Sequence, residues 1–467
     1  MRGKQVLVVG LARTGVATAL FCAAKGANVT ATDARTETEI VEAIAPLRTA
    51  GVSLELGGHR ENTFLDQDLI VPSPGVPADA PLLQAARAKG VTIWSEVELA
   101  DRFLKGRLIG ITGSNGKTTT TSLIEHILKI AGFSTILAGN IGTPLISCVE
   151  RTNDSTIAVV ELSSFQLELI EAFRPNIAVF LNLTPDHLDR HYKLEAYGRA
   201  KARIFENQTE ADSAVLNTDD PATTPLAPEK PHVYWFSRKQ RVAQGVFVRE
   251  NEIVFRHNGE EELVLNLQEI PLVGAHNVEN VLAAVAATRL AGAGPSAIAK
   301  GVRSFAGVEH RLEFVAEIRG VRYFNDSKAT NVDATLKALD AFAGRILIVL
   351  GGKDKGSDYT VLQKPLREKA ILALLIGAAA EKIEKDISGS VAIERAGVIE
   401  RAVEIAWHAA RPGDVVLLAP ACASFDQFQN YEHRGRVFKE LVHQLQRQAA
   451  STTSPKRVRE RAETIGE

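Results

Sequence analysis

The apolar positions fall into short β-rich runs that alternate with helix-length amphipathic stretches. "QVLVVG" (5–10) predicts a strand, "TGVATALFCAAKGA" (14–27) a helix closed by Gly26, "NVTATDAR" (28–35) the next strand and "LIVPSPGVP" (69–77) a later one. Such alternation predicts βαβ units and a parallel sheet. A second series begins at "RLIGITG" (107–113) and runs through "STIAVVELSS", "NIAVFLNLTPDH" and "SAVLNTDDP". From about 232 to 272 short alternating runs, "GVFVRENEIVF" and "EELVLNLQEIPL", predict a small antiparallel patch, which the helix "HNVENVLAAVAATRLAG" closes. A third series follows with "VRYFNDS", "RILIVLGG", "ILALLIGA" and "DVVLLAPA". The expectation is therefore three tandem α/β domains, 1–95, 96–307 and 308–446, and from 447 a tail without apolar periodicity that reads as disordered.

Composition narrows the classes. A chain of 467 residues, 45% hydrophobic and 24% charged with a net charge of -2, suits a multidomain globular protein and offers no basic surface for nucleic acid. The tail's Lys456, Arg457, Arg459 and Arg461 read as solvated. Cys22, Cys148 and Cys422 lack metal-site spacing, which fits a reducing cytoplasm. No run predicts a membrane span or a signal peptide, so a cytoplasmic protein is expected.

In open parallel sheets ligands bind beyond the carboxyl ends of the strands. Gly10, Asp33 and Ser73 fall there in the first series, Gly113, Glu161 and Asp186 in the second, and Asp326, Gly351 and Ser424 in the third. The segment "ITGSNGKTTTT" (111–121) joins a strand to a helix. Its backbone amides, the helix N-terminus, Lys117 and Thr118 supply what a triphosphate and Mg²⁺ require. The usual first glycine is Ile111, so the loop is shorter than the commonest type; a threonine-rich helix cap is the plainer alternative. Glu161, Asp186, His187 and Asp189 end strands beside it and are candidate metal ligands. "GLARTG" (10–15) followed by Asp33 approaches a dinucleotide fingerprint, but its middle glycine is Ala12.

The ordered set "TGSNGKTT", "GNIG", "ELSSFQLE", "LNLTPDHLDRH", "AKARIF", "HNVEN", "HRLE", "NDSKATN", "LGGKDKG" and "PACASFDQFQNYEHRG" resembles the Mur ligases of peptidoglycan synthesis, over nearly the whole chain to about 445. The resemblance implies a Rossmann-like first domain, a P-loop ATPase domain and a Rossmann-like third domain. It also implies ATP-driven amide formation through an acyl phosphate, with D-glutamate added to UDP-N-acetylmuramoyl-L-alanine. By match, Gly113, Ser114, Asn115, Gly116, Lys117, Thr118, Thr119, Asn277, Asn280, Arg311 and Asp326 surround ATP. Thr118, Glu161, His187 and a carbamylated Lys201 hold two Mg²⁺ ions. Arg13, Thr14, Arg35, Gly75, Asn140 and His187 face the UDP-linked substrate; Lys328, Thr330, Lys355, Ser424 and Phe425 face D-glutamate. Lys117, His187, Lys201 and Lys355 are implied to be catalytic. Phe425 stands where the family leads one to expect Leu, and Tyr431 where it leads one to expect Phe. The resemblance further implies a monomer. Alternatives are another Mur-type or folylpolyglutamate-type ligase, a nucleotide-dependent binding protein, and a nicotinamide dehydrogenase built on the first domain.

Overall fold

A computed structural model describes residues 1–453 and shows a mixed α/β protein with three sheets. The first sheet contains β1 (Gln5–Val9), β2 (Asn28–Asp33), β3 (Ser53–Leu56), β4 (Leu69–Pro72) and β5 (Thr92–Ile93), all parallel, in the order β3-β2-β1-β4-β5. Val6, Leu7, Val8 and Val9 are all buried, as expected of a strand covered on both faces. The strand order reverses at β1, where β4 joins its other edge. That makes the carboxyl ends of β1 and β4 the place for a ligand.

The second sheet has nine strands: β6 (Arg107–Thr112), β7 (Ser134–Gly139), β8 (Thr156–Glu161), β9 (Ile177–Phe180), β10 (Ser213–Asn217), β11 (His232–Ser237), β12 (Gly245–Arg249), β13 (Glu252–His257) and β14 (Glu260–Asn266). Their order is β14-β13-β12-β11-β10-β9-β6-β8-β7, so β6 lies between β8 and β9 at the point of reversal. The antiparallel patch expected from 232 to 272 needs correction. β11 runs parallel to β10 and β12, only β12-β13-β14 are antiparallel, and together they extend the central sheet. Alternation along each strand revealed strand type but not which edge the strands would join.

The third sheet comprises β15 (Glu313–Ile318), β16 (Val321–Asn325), β17 (Ile346–Gly351), β18 (Ala370–Ile376), β19 (Ile393–Gly397) and β20 (Val415–Leu418), in the order β15-β16-β20-β17-β18-β19. Only β15 is antiparallel to its neighbour. The expected tail from 447 is also corrected in part: the last helix spans Tyr431–Thr453. Gln448, Ala449 and Ala450 are good helix formers. Residues 454–467 lie outside the described residues. Among the described residues no helix is long and apolar enough to cross a membrane.

The chain divides into two compact units. The first holds Met1–Leu272 and His276–Ala306, hence the first two sheets; the second holds Val273–Ala275 and everything described from Gly307 on.

Candidate active site

β6 delivers Gly113 to the reversal point of the central sheet, and the helix Lys117–Ile130 starts four residues later. The intervening turn is fastened by short polar groups. Ser114 N–H donates to the Asn182 carbonyl at 2.9 Å, Asn115 N–H to Asn182 Oδ1 at 2.8 Å, and Ser114 Oγ to the Thr184 carbonyl at 2.9 Å. Gly116 opens the helix in the left-handed region, φ 85°, and a Cβ there would lie 2.2 Å from Asn280 Oδ1. Glycine is therefore required twice over, by conformation and by space. Asn280 is tied in turn to Asn277 at 3.0 Å and to Thr120 at 3.3 Å. Lys117 Nζ donates to the Gly113 and Ser114 carbonyls at 2.7 and 2.9 Å, which holds its charge inside the mouth of the loop. A turn this tight, opening a 14-residue helix and followed by Thr118 and Thr119, fits a nucleoside triphosphate.

Lys201 lies at the end of the helix Leu194–Ala202, with 1% of its surface exposed. Its Nζ donates to the Gly113 carbonyl at 2.7 Å and sits 4.5 Å from the Tyr197 ring centre. Burial first, and then the charge of Lys117, push its pKa well below the usual lysine range, against the pull of Asp186 and Glu161. Glu161, at the end of β8, accepts from Asn140 Nδ2 at 2.8 Å. His187 has φ 52° and packs edge-on against Phe165, with ring centres 5.0 Å apart. These surroundings fit Mg²⁺, because carboxylate, hydroxyl and a lysine whose charged form burial disfavours gather around one phosphate loop.

In the first sheet, Ser73 Oγ donates to the Gly10 carbonyl at 2.7 Å, joining the ends of β1 and β4. Gly15 closes the turn, since a Cβ there would meet the Gly10 carbonyl at 1.8 Å. Arg13 and Thr14 begin the following helix, Arg13–Ala24. Asp33 does not present a free carboxylate for a ribose. Leu11 N–H donates to it at 2.6 Å and the Arg35 guanidinium at 2.9 and 2.7 Å, and these bonds, Arg35's above all, hold its pKa far below the usual range. That arrangement disfavours the dehydrogenase alternative.

In the second unit, Asp326 follows β16 and is buried. Desolvation pushes its pKa up to about 7, while the charges of Arg311 and Lys328 and the Leu312 amide oppose the rise. Lys328 Nζ lies 5.2 Å from the Tyr431 ring centre. Arg434, fully buried, spreads its guanidinium over Ser327 Oγ (3.0 Å), the Ser327 carbonyl (2.8 Å) and the Cys422 carbonyl (3.2 Å). It thereby binds the 325–330 segment to the segment that carries Ser424. Ser424 is buried, whereas Lys355 and Phe425 are exposed. Among the described residues the one grouping of three metal-ligand side chains is Glu309, His310 and Glu313, and Lys439 Nζ already bonds both carboxylates.

Comparisons with known proteins agree along the chain. Residues 4–95 match the family profile "Mur ligase MurD-like, N-terminal domain", 111–288 "Mur ligase middle domain", and 310–422 "Mur ligase, glutamate ligase domain". The chain belongs to the Mur ligase family. Among the Mur ligases, the UDP-N-acetylmuramoylalanine--D-glutamate ligase of Koribacter versatilis is 54% identical over 96% of this chain and 99% of its own length. The ligase of the same name from Acidobacterium capsulatum is 54% identical over 95% and 96%. A UDP-N-acetylmuramate-alanine ligase from Thermotoga maritima shares the fold at 20% identity, with a TM-score of 0.58 over 95% of this chain and all of its own.

In this Mur ligase the structure brings Gly113, Lys117, Lys201, Asn277 and Asn280 into one hydrogen-bonded neighbourhood. Asn182, Thr184, Tyr197, Arg190 and Arg434 were missed as supports. For the first two a signal existed, since they directly follow a strand of the same sheet. A buried arginine such as Arg434 gives none, because its sequence neighbours look like any helix start.

Proposed function

We propose that this Mur ligase forms an amide bond at the expense of ATP, adding D-glutamate to UDP-N-acetylmuramoyl-L-alanine. The observation that carries this reading is the 54% identity, over almost the full length of both chains, to ligases of that name. Residues 1–95 bind the UDP-linked acceptor through Arg13, Thr14, Arg35 and Gly75, with Asn140 and His187 along its path. Residues 96–307 bind ATP, and 308–446 bind the amino acid through Lys328, Thr330, Lys355, Ser424 and Phe425. Arg311 and Asp326 are assigned to ATP by the family resemblance.

The family uses ATP and Mg²⁺. The metal, when bound, neutralises phosphate oxygens and so lets an anionic carboxylate approach them. Thr118, Glu161 and His187 supply its ligands, and Lys117 holds the phosphates. Lys201 is suited to carbamylation because burial and Lys117 favour its neutral amine, the form that attacks carbon dioxide; the product replaces a repelled ammonium with an anionic oxygen ligand. The acceptor carboxylate takes the γ-phosphoryl group as ADP leaves; the free amine of D-glutamate then attacks the acyl carbon, the acyl C–O bond to phosphate breaks, and inorganic phosphate and the amine's proton depart. Lys355 balances the charge that develops there. Two ions, a monomeric state and a cytoplasmic location complete the proposal. Three buried free cysteines suit a reducing compartment.

The test is phosphate release over a panel of D- and L-amino acids. Release should require both the UDP-linked acceptor and D-glutamate. Release without an amino acid would favour a nucleotide-dependent binding protein, and preference for another amino acid would favour a different ligase branch.

A further inference from the structure

Arg190 reaches from the segment that carries His187 to the first sheet's ligand loop. Its guanidinium donates to the carbonyls of Pro74 at 2.8 Å and Val76 at 3.2 Å, one on each side of Gly75. Glu168 accepts from the same group at 2.7 Å, and Phe165 lies under it, 4.0 Å from ring centre to guanidinium carbon. Only 17% of the Arg190 side chain and 19% of the Glu168 side chain are exposed, so the ion pair is shielded from solvent.

A trans peptide group points its C=O and its N–H in opposite directions. With the Pro74 carbonyl drawn to Arg190, the N–H of Gly75 is turned to the far side. The Val76 carbonyl is drawn the same way, but the next residue is Pro77, which has no N–H to present. Gly75 is itself exposed. Its φ lies outside the left-handed region and an added Cβ would meet no atom within 4 Å. Neither conformation nor packing calls for glycine there, so the open space beside that amide is available to a ligand.

We propose that Arg190 is a positioning residue for the UDP-linked acceptor: by gripping the carbonyls on both sides of Gly75, it turns the Gly75 amide outward as a donor to an anionic oxygen of that substrate. This rests on the function proposed above for the acceptor. Arg190 also fastens the acceptor loop to the segment bearing His187, so the two are aligned by a single side chain.

The experiment titrates UDP-N-acetylmuramoyl-L-alanine into wild type, Arg190→Lys and Gly75→Ala, with KM values for all three substrates and thermal melting alongside. Lysine keeps the charge opposite Glu168 but cannot span two carbonyls. Acceptor affinity should fall about tenfold in Arg190→Lys, while KM for ATP and for D-glutamate and the melting temperature stay near wild type. Gly75→Ala should weaken the acceptor without lowering the melting temperature, and the double variant should lose less than the two single losses combined. The Val76 amide, bonded to the Ser73 carbonyl at 2.9 Å, should exchange its hydrogen faster in Arg190→Lys. Unchanged acceptor affinity in Arg190→Lys, or a rise of all three KM values together with a fall in melting temperature, would overturn the role. No acceptor binding by the wild type would instead count against the proposed function.

Discussion

Lys201 in the first unit and Asp326 in the second are both buried ionisable groups, and burial drives each toward its neutral form. Their neighbours act in opposite senses. Lys117 adds a like charge beside Lys201 and reinforces the neutral amine. Arg311 and Lys328 place positive charge near Asp326 and restrain its rise, so that it sits near half-ionisation at about pH 7. At Lys201 the nearby cation thus adds to burial, with Asp186 and Glu161 opposing both, whereas at Asp326 the nearby cations oppose burial. The supports differ as well. The loop before Lys117 is held by glycine geometry and several short polar contacts, and the segments around Asp326 by backbone bonds from Asp326 to Leu418 and from Ala421 to Ala329 together with one buried arginine.

The largest effect is expected at Lys201. Lys201→Ala should lower kcat about 10³-fold or more, with partial recovery on adding a short-chain carboxylate that fills the lost position. No recovery at any carboxylate concentration would remove the carbamate from the comparison. At Asp326 the effect is one of pH. The folded state holds this proton more tightly than the unfolded chain does, so between pH 3.8 and about 7 the unfolded chain binds fewer protons and stability falls as pH rises. The fall should approach ~4 kcal/mol at most, level off above that window and vanish in Asp326→Asn; urea titrations from pH 4 to 8 read it. Identical slopes in the two proteins would show that its neighbours, rather than burial, set its ionisation.

Arg434→Met should cost about 3 kcal/mol of stability in the second unit, because the Ser327 and Cys422 carbonyls lose a charged donor in a buried place. Calorimetry should show it, together with a raised KM for D-glutamate and little change for ATP. If ATP were affected equally, the buried arginine would be supporting the whole unit instead of the two segments. Phe425→Leu is expected to have the smallest effect. Phe425 is 67% exposed, so shortening it should leave melting unchanged and shift the D-glutamate KM by less than about threefold.

Much of this was legible in the chain. The parallel strands were marked by doubly buried β-branched runs such as "QVLVV", and the phosphate loop by Gly-Lys-Thr between a strand and a helix. Lys201 was different: in "AKARIF" nothing but family resemblance separates it from a surface lysine, since its burial depends on Tyr197 and on the Gly113 carbonyl from 88 residues earlier. The helix to Thr453 was underestimated because its last turns are polar, and apolar periodicity does not register a polar helical stretch.

What the amino-acid order decided alone was local: strand and helix periods, the left-handed glycine that opens the helix at Lys117 and the absence of metal spacing among the cysteines. What tertiary structure decided was every property that depends on distance between separated segments. The joining of β12-β13-β14 to the central sheet, the lowered pKa of Lys201, the balance at Asp326 and the reach of Arg190 to the loop around Gly75 all belong there. Hydrogen bonds and desolvation act over a few ångströms of space, and only the folded chain sets which residues come within that range.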